Sequence, residues 1–468
     1  MNSAKPTPWE MTDTANADRL IDHAAGKLLY CADMGRWLAW DGTRWQISGD
    51  DGPAYEAATE TIHAITPGDS EALAKWKLRS LSRNRLDAMV ALARRRPALR
   101  VNVDQLDAHP HQLNTPSGIV DLETGRITPC SPELFHTKVT GCGIQRNGHS
   151  AMWKVFLDTT FGGDQQLIDY MQRLAGLAAI GQVREHVLPF CFGTGANGKG
   201  VFLDVLLGVL GDYAITTAHD FLLAGRGSKH ETEIARLRGA RLVICSEVNE
   251  GSKFDEAKVK LLTGGDKLSG RFMRCDLFDF APSHTLFLRA NYLPAVEAGG
   301  PSFWRRLRQI PFTYTVPEGE RIPDMAAMLV RDEGPSILAW IVEGAQQVLA
   351  AGLEPTPAAV KAATEDYAED SLTGVARFVD ECCIVGTRDN IVDVSTLHAC
   401  YKQWAFFNDE PPVSQKAFGR RLTSCGVPKA PRSAAGRRYY IKVRTDKLPS
   451  KLVPFGEKTA LDGDANAV

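Results

Sequence analysis

Eight residues, Gly193-Thr194-Gly195-Ala196-Asn197-Gly198-Lys199-Gly200, constrain this chain more than any other stretch. Before them runs Val187-Leu188-Pro189-Phe190-Cys191-Phe192, which reads as a buried strand. After them Val201-Phe202-Leu203-Asp204-Val205-Leu206-Leu207 continues at helical spacing. A strand, a glycine loop and a helix make a phosphate cradle: glycines let backbone N–H groups turn inward, and the helix N-terminus adds partial positive charge. Lys199 adds a full charge for the β- and γ-phosphates of a nucleotide. Two patterns fit the loop. Gly193-x-Gly195-x-x-Gly198 matches the dinucleotide fingerprint. Gly-x-x-x-x-Gly-Lys matches the phosphate loop of NTPases, except that Gly200 stands where a Ser or Thr hydroxyl would hold Mg²⁺. A glycine loop with no ligand is the third reading.

The downstream strands favour the NTPase pattern. Arg241–Glu247 and Thr285–Asn291 are apolar runs that end in polar groups, as in a parallel α/β core. Glu247, closing its strand, is placed to orient the water that attacks a γ-phosphate and to help hold Mg²⁺, directly or through water, with Glu250 assisting. Asn291 is placed to hydrogen-bond the γ-phosphate or that water. A dinucleotide site instead wants an acid about 20 residues after the loop, ending the next strand. Asp212 is near that spacing but follows a helix and a glycine, which disfavours that reading.

Two basic features follow. Lys258 to Arg271 carries Thr263-Gly264-Gly265-Asp266 and then strand-like alternation, a hairpin on which Lys267, Arg271 and Arg274 would meet a phosphodiester backbone or simply face solvent. In Phe303-Trp304-Arg305-Arg306-Leu307 the paired arginines suit a finger that reaches a neighbouring subunit's nucleotide, or a surface ion-pair face.

Upstream, residues 1–15 are polar, and apolar residues at helical spacing run from Asn16 to Tyr30. Arg36 to Trp45 reads as two short strands about an Asp41-Gly42 turn, with the tryptophans as sheet core rather than a base-stacking platform. Residues 55–97 read as helical, with a basic end at Arg94-Arg95-Arg96. Residues 113–140 read as a strand with tight turns and a connector in which His136 is structural. Two helices, Met152–Thr160 and Gln165–Ile180, lead to the loop strand.

Beyond the core, residues 316–370 read as helical, over Pro335–Ala350 and Pro357–Glu369. Then come a helix over Val375–Cys383, a strand at Ile391–Val394, helices over Ser395–Phe407 and Ser414–Leu422, and two strands about Ser433–Gly436. Helices followed by a glycine-tipped hairpin look like a winged helix. Between Tyr401 and Arg444 stand ten Lys or Arg against Asp409 and Glu410, in a chain whose net charge is −2. That local excess argues for phosphate contact through Lys416, Arg420, Arg421, Arg437 and Arg438, among others. The overall balance excludes a basic coat for nucleic acid. Ten scattered cysteines without a Cys-x-x-Cys pair read as reduced thiols. The polar N-terminus and the lack of any run of membrane-spanning length lead us to expect a soluble, cytoplasmic protein with no membrane partner.

Taken in order, strand–GxGxNGK, Ser246-Glu247, Lys-x-x-Thr-Gly-Gly-Asp-(x)₄-Arg, Asn291-x-x-Pro294 and Trp-Arg-Arg-Leu resemble the superfamily-3 helicases, specifically the phage and plasmid primase-helicase branch related to the poxvirus primase-helicase. The resemblance covers roughly residues 15–445. Trp40-Asp41-Gly42-Thr43-Arg44-Trp45 and Pro116-Ser117-Gly118-Ile119-Val120-Asp121 resemble that branch's accessory domain. It implies an AAA+-like ATPase that assembles as a ring, usually a hexamer, uses ATP and Mg²⁺, and moves along single-stranded or forked DNA. Lys199 would bind phosphate within Gly193–Gly200, Glu247 would serve water and Mg²⁺, Asn291 would be the sensor, and Arg305 or Arg306 the finger in trans. The expected layout is an accessory domain over 1–148, the ATPase over 149–315, a helical connector over 316–370, a winged-helix-like DNA-binding domain over 371–447 and a disordered tail over 448–468. With only a few residues ahead of the accessory domain, we expect a stand-alone helicase served by a separate primase or polymerase, in a bacterial host's cytoplasm if phage-encoded. The alternative is a nucleotide-gated, DNA-binding initiation factor with weak or no ATPase activity, which Gly200 motivates.

Overall fold

The apolar strands flanking the glycine loop bury both of their faces. A computed structural model of the chain describes residues 8–148, 150–218, 220–225, 231–246, 252–271, 277–296, 299–371, 374–386, 390–410, 412–433, 436–444 and 447. At its centre five strands, all parallel, form one sheet: β1 (Leu188–Phe192), β2 (Ala214–Thr217), β3 (Leu242–Ser246), β4 (Thr285–Ala290) and β5 (Leu307–Pro311), in the order β5-β1-β4-β3-β2. Successive residues point to opposite faces. Leu242, Ile244, Cys191, Phe287 and Ile310 enter one core with the helices Gln165–Ala179 and Met325–Ala351 and with α1 (Lys199–Leu210), the helix after the loop. Val243, Cys245, Phe190, Leu286, Leu288 and Leu307 enter a second core with Phe221, Phe254, Phe303 and Tyr367. Pro189 fits in central β1 because the ladder to β4 starts only at Phe190.

Three elements depart from the sequence reading. The helical stretch read over Asn16–Tyr30 ends at His23, and past Gly26 at φ +72° Leu28–Cys31 is a strand. The segment after α1 holds β2, a half-buried edge strand of Ala-Ile-Thr-Thr whose weak apolar signal hid it. The long helix starts at Met325, and Pro335 lies inside it rather than at its first turn. The missing proline donor is outweighed by packing: Leu329 is fully buried, and Val330 sits against Gly208 so closely that a Cβ there would stand 2.8 Å from its Cγ2.

The N-terminal unit has a four-stranded sheet of Leu28–Cys31, Arg36–Trp40, Trp45–Ile47 and Arg100–Val101 against helices Asp13–His23, Gly52–Ala64 and Arg83–Ala93. Trp37 and Trp45 are fully buried, as expected of sheet core. The Asp41 carboxylate accepts from Thr43 N and Arg44 N, both at 2.8 Å, which closes the predicted turn. His136 is buried, and burial pulls its imidazole down to about 4, so it is neutral at pH 7. A hairpin of Gln112–Thr115 and Gly118–Asp121 joins this unit to the sheet. Its joint is tight: Gly141 N donates to Val209 O at 3.0 Å, and a Cβ on Gly141 would stand 2.0 Å from Gly208 O.

Arg241, just before β3, fastens the same junction. Its guanidinium is buried and donates to Ala179 O at 2.6 Å, Gln112 O at 2.6 Å and His109 O at 3.4 Å, and it lies over the Tyr213 ring at 4.5 Å.

The C-terminal unit has its own core, with Phe378, Leu397, Tyr401, Trp404, Phe418, Leu422 and Tyr439. Its helices Gly374–Cys382, Val394–Phe407 and Gln415–Ser424 pack on the strand Gly436–Val443, which pairs antiparallel with Cys383–Val385, Ile391–Asp393 and Lys429–Ser433. Among the described residues no helix is long and apolar enough to cross a membrane.

Removing the Arg241 head group takes a charged donor from the buried Ala179 carbonyl and from the Gln112 and His109 carbonyls. Arg241→Met is expected to lower the unfolding free energy by about 3 kcal/mol, read as a lower urea midpoint. An unchanged midpoint would refute the fastening role.

Candidate nucleotide-binding site

The loop's backbone is held from outside before any ligand arrives. Gly195 and Gly198 take φ +118° and +82°, which only glycine adopts freely. Ala196 at φ +49° pays for the same curvature, and its carbonyl accepts from Val316 N at 2.8 Å. Asn197 Nδ2 donates to Phe312 O at 3.0 Å, tying the loop to the chain just past β5.

Lys199 opens α1, and its side chain is buried. Its Nζ donates to Gly193 O at 2.6 Å, Asn197 Oδ1 at 3.1 Å and Asn291 Oδ1 at 2.9 Å. All three ammonium donors are thus directed at oxygens of the loop and of the residue after β4. Burial pulls the ammonium below the ordinary lysine value, and the nearby Arg289 charge adds to the pull while the Cys191 thiol opposes it. A cavity of ≈ 620 Å³ opens here, lined by Gly195 to Val201 and by Arg289, Ala290, Asn291 and Tyr292. Lys199 and Asn291, 92 positions apart, therefore meet at one mouth.

Arg289 was missed in the sequence, where it reads as an odd residue in an apolar strand. It stands two positions before Asn291, on the same face of β4. Its Nη1 lies 3.4 Å from Asp204 Oδ1, and its Nη2 donates to Ser246 Oγ at 3.2 Å. Ser246 is the last residue of β3; Glu247 and Glu250, which follow, lie outside the described residues. Asp212 is not at the cavity: it takes Val139 N at 3.1 Å and pairs with Arg44 at the junction.

The structure separates the two arginines. Arg306 is buried, its Nε donating to Thr263 Oγ1 at 3.1 Å and its Nη1 to Ser302 O at 2.5 Å. Arg305 is exposed. Both precede β5, whose first residue Leu307 pairs with Leu188, at the sheet edge away from the loop.

On the hairpin, Lys267 is exposed, Arg271 pairs with Glu231 at 2.9 Å, and Arg274 lies outside the described residues. In the C-terminal unit Lys416 and Arg437 are exposed and Arg421 is half-buried. Arg438 donates to Pro431 O at 2.8 Å. Arg420 lies on the helix Gln415–Ser424, and its side chain is outside the described set. A second cavity of ≈ 660 Å³, lined by Trp304, Glu369, Val379 and Arg444 among others, contains none of the loop residues.

Comparison with known proteins points the same way. Residues 17–162 match the family described as D5 N terminal like. The mimivirus protein named "Putative helicase L207/L206" (Acanthamoeba polyphaga mimivirus) is 28% identical over 151 residues, which is 32% of this chain and 16% of that protein. Protein 022R of Frog virus 3 (isolate Goorha), likewise named a "Putative helicase", is 28% identical over 152 residues, 31% of this chain and 16% of that one. An African swine fever virus protein named "Putative primase C962R" is 21% identical over 218 residues, 44% of this chain and 22% of its own length. The chain thus spans about a sixth to a fifth of the length of these relatives. Two apo structures of the NrS-1 C-terminal region share the fold. One has a TM-score of 0.51 at 13% identity, covering 89% of this chain and 95% of that chain; the other has 0.52 at 11%, covering 92% and 99%. The family model and the viral relatives give a low-identity likeness to D5-like viral primase-helicases, and the solved structures show the fold.

The two arginines should part in a stability assay. Arg306→Ala is expected to cost about 2 kcal/mol, because it strands buried polar atoms. Arg305→Ala should stay within about 0.5 kcal/mol of wild type. Equal effects on the melting temperature would contradict their separate placement.

Proposed function

We propose that the chain is an ATP-dependent DNA helicase or translocase that serves replication of a phage or other mobile element and acts as a ring of identical subunits, on the expected pattern a hexamer. One observation carries the reading: Lys199 and Asn291 converge at the mouth of a glycine-loop cavity, at the C-terminal edge of a parallel sheet. That edge is where open α/β sheets bind their ligands.

In this reading the phosphates of ATP settle among the backbone N–H groups of residues 195–200. The Lys199 ammonium exchanges its neutral acceptors for anionic oxygens, a stronger pairing. Asn291, released from Lys199, holds the γ-phosphate or the attacking water through its amide. Glu247, next in the chain after Ser246, takes the proton of that water. Arg305 is the finger. From the far edge of the sheet it cannot serve its own loop, so it would complete a neighbour's site, and Arg306 braces its base. The exposed bases Lys267, Lys416 and Arg437 would meet phosphates of single-stranded or forked DNA, with Arg271, Arg421 and Arg438 beside them. A separate primase or polymerase would act on the opened strands. The winged-helix reading of the C-terminal unit rests on its helices, its antiparallel sheet and its local charge.

The described residues do not suit a directly coordinated Mg²⁺, since Gly200 supplies no side-chain oxygen and the cavity's described lining contains no carboxylate.

Lys199→Ala is expected to lower ATP turnover by roughly a hundredfold or more and to abolish fork unwinding. Equal activity in the two proteins would sink the proposal. Gly200 favours a second reading, a nucleotide-gated DNA-binding initiation factor. It expects ATP-dependent DNA binding without strand separation, and a large gain of ATPase activity in Gly200→Ser.

A further inference from the structure

Gly200 and Arg289 face each other. A Cβ on Gly200 would lie 3.7 Å from Arg289 Nη1 and 3.9 Å from Asp204 Oδ2, with no closer neighbour. The guanidinium therefore borders the place where a hydroxyl at position 200 would present its oxygen. Its own position is fixed three times over. The strand register sets Arg289 between Cys191 of β1 and Ser246 of β3. Asp204, one helical turn beyond Gly200, holds Nη1 at 3.4 Å, and Ser246 Oγ holds Nη2 at 3.2 Å. It lines the same cavity as the glycine loop and Lys199.

These are the wrong groups for a directly held divalent ion. Mg²⁺ asks for a near-octahedral shell of oxygens. Here the loop offers hydrogen at Gly200, and the nearest described carboxylate, Asp204, is engaged with a cation. A guanidinium does a related job by different means. It carries fixed positive charge and a planar fork of five N–H donors that matches phosphate oxygens, and two contacts leave donors over.

We propose that Arg289 is a phosphate-binding residue that stands in for the directly held divalent cation, with Asp204 and Ser246 as its positioning residues, so that this site binds ATP with little dependence on Mg²⁺. The proposal rests on the nucleotide reading above. It also accounts for Gly200: a hydroxyl there would recruit a competing cation beside the guanidinium. Like charges packed side by side repel, and Lys199 already feels Arg289.

The test measures ATP affinity by calorimetry with Mg²⁺ and with EDTA, which reads binding rather than turnover. Wild type should keep its affinity within about threefold when Mg²⁺ is removed. Arg289→Ala should bind ATP roughly tenfold or more weakly in EDTA and regain affinity with Mg²⁺. The double variant Gly200→Ser/Arg289→Ala should bind tightly only with Mg²⁺. Arg289→Lys, which keeps the charge without the fork, should fall between wild type and Arg289→Ala, and it carries the test if the alanine variant does not fold. A wild-type loss of roughly a hundredfold in EDTA would overturn the proposal, as would Arg289→Ala binding like wild type in EDTA. No ATP binding by wild type in either buffer would overturn the nucleotide reading itself.

Discussion

A buried charge with no buried counter-charge is costly, and this fold is arranged around one. The Arg241 guanidinium has been taken out of water and is repaid by carbonyls rather than by a carboxylate. Those carbonyls come from the end of the helix Gln165–Ala179 and from the approach to the hairpin at Gln112, so the head group is satisfied only when both segments are in place. Burial pulls the group down, while Tyr213 and Asp107 hold it up. Because Arg241 immediately precedes β3, the same residue starts the strand that leads to Ser246 and the acid after it. The N-terminal unit and the C-terminal edge of the central sheet share that one anchor.

The loop site follows a similar logic on a smaller scale. Its cations are kept in place by neutral or paired oxygens of the protein: Lys199 by two loop atoms and Asn291, Arg289 by Asp204 and Ser246. Charges prearranged in this way need little reorganisation when an anion arrives, and that is the source of electrostatic stabilisation in such sites. Phosphate oxygens compete well against a backbone carbonyl and an amide, because charge-assisted hydrogen bonds are stronger than neutral ones.

Much of this was legible in the sequence. The loop, its strand and helix, the pairing of Arg36–Trp40 with Trp45–Ile47, and the helices of the C-terminal unit follow from apolar period and turn chemistry. So does the presence of Asn291 at a strand end. What stayed hidden needed the third dimension. Arg289 reads as a flaw in an apolar strand until Ser246 and Asp204 are seen on either side of it. Arg305 and Arg306 are equivalent as letters. Only the packing of Phe303 and the start of β5 turn one inward to Thr263 and leave the other in water. The strand Ala214–Thr217 lies at a sheet edge, where half-polar residues suffice. The early start of the long helix reflects burial of Leu329, which outweighs the cost of an internal proline.

The joint between Gly141 and Gly208 has a consequence for how such a chain can change over generations. Backbone meets backbone there, with 2.0 Å between a would-be Cβ and a carbonyl oxygen, so no side chain can move aside to admit a substitution. Relief would require shifting α1, and with it the glycine loop at that helix's other end. Gly141 does not line the glycine-loop cavity, yet it is barred from drift. A graft that replaces the N-terminal unit must therefore keep a glycine at position 141, or the end of α1 has to move.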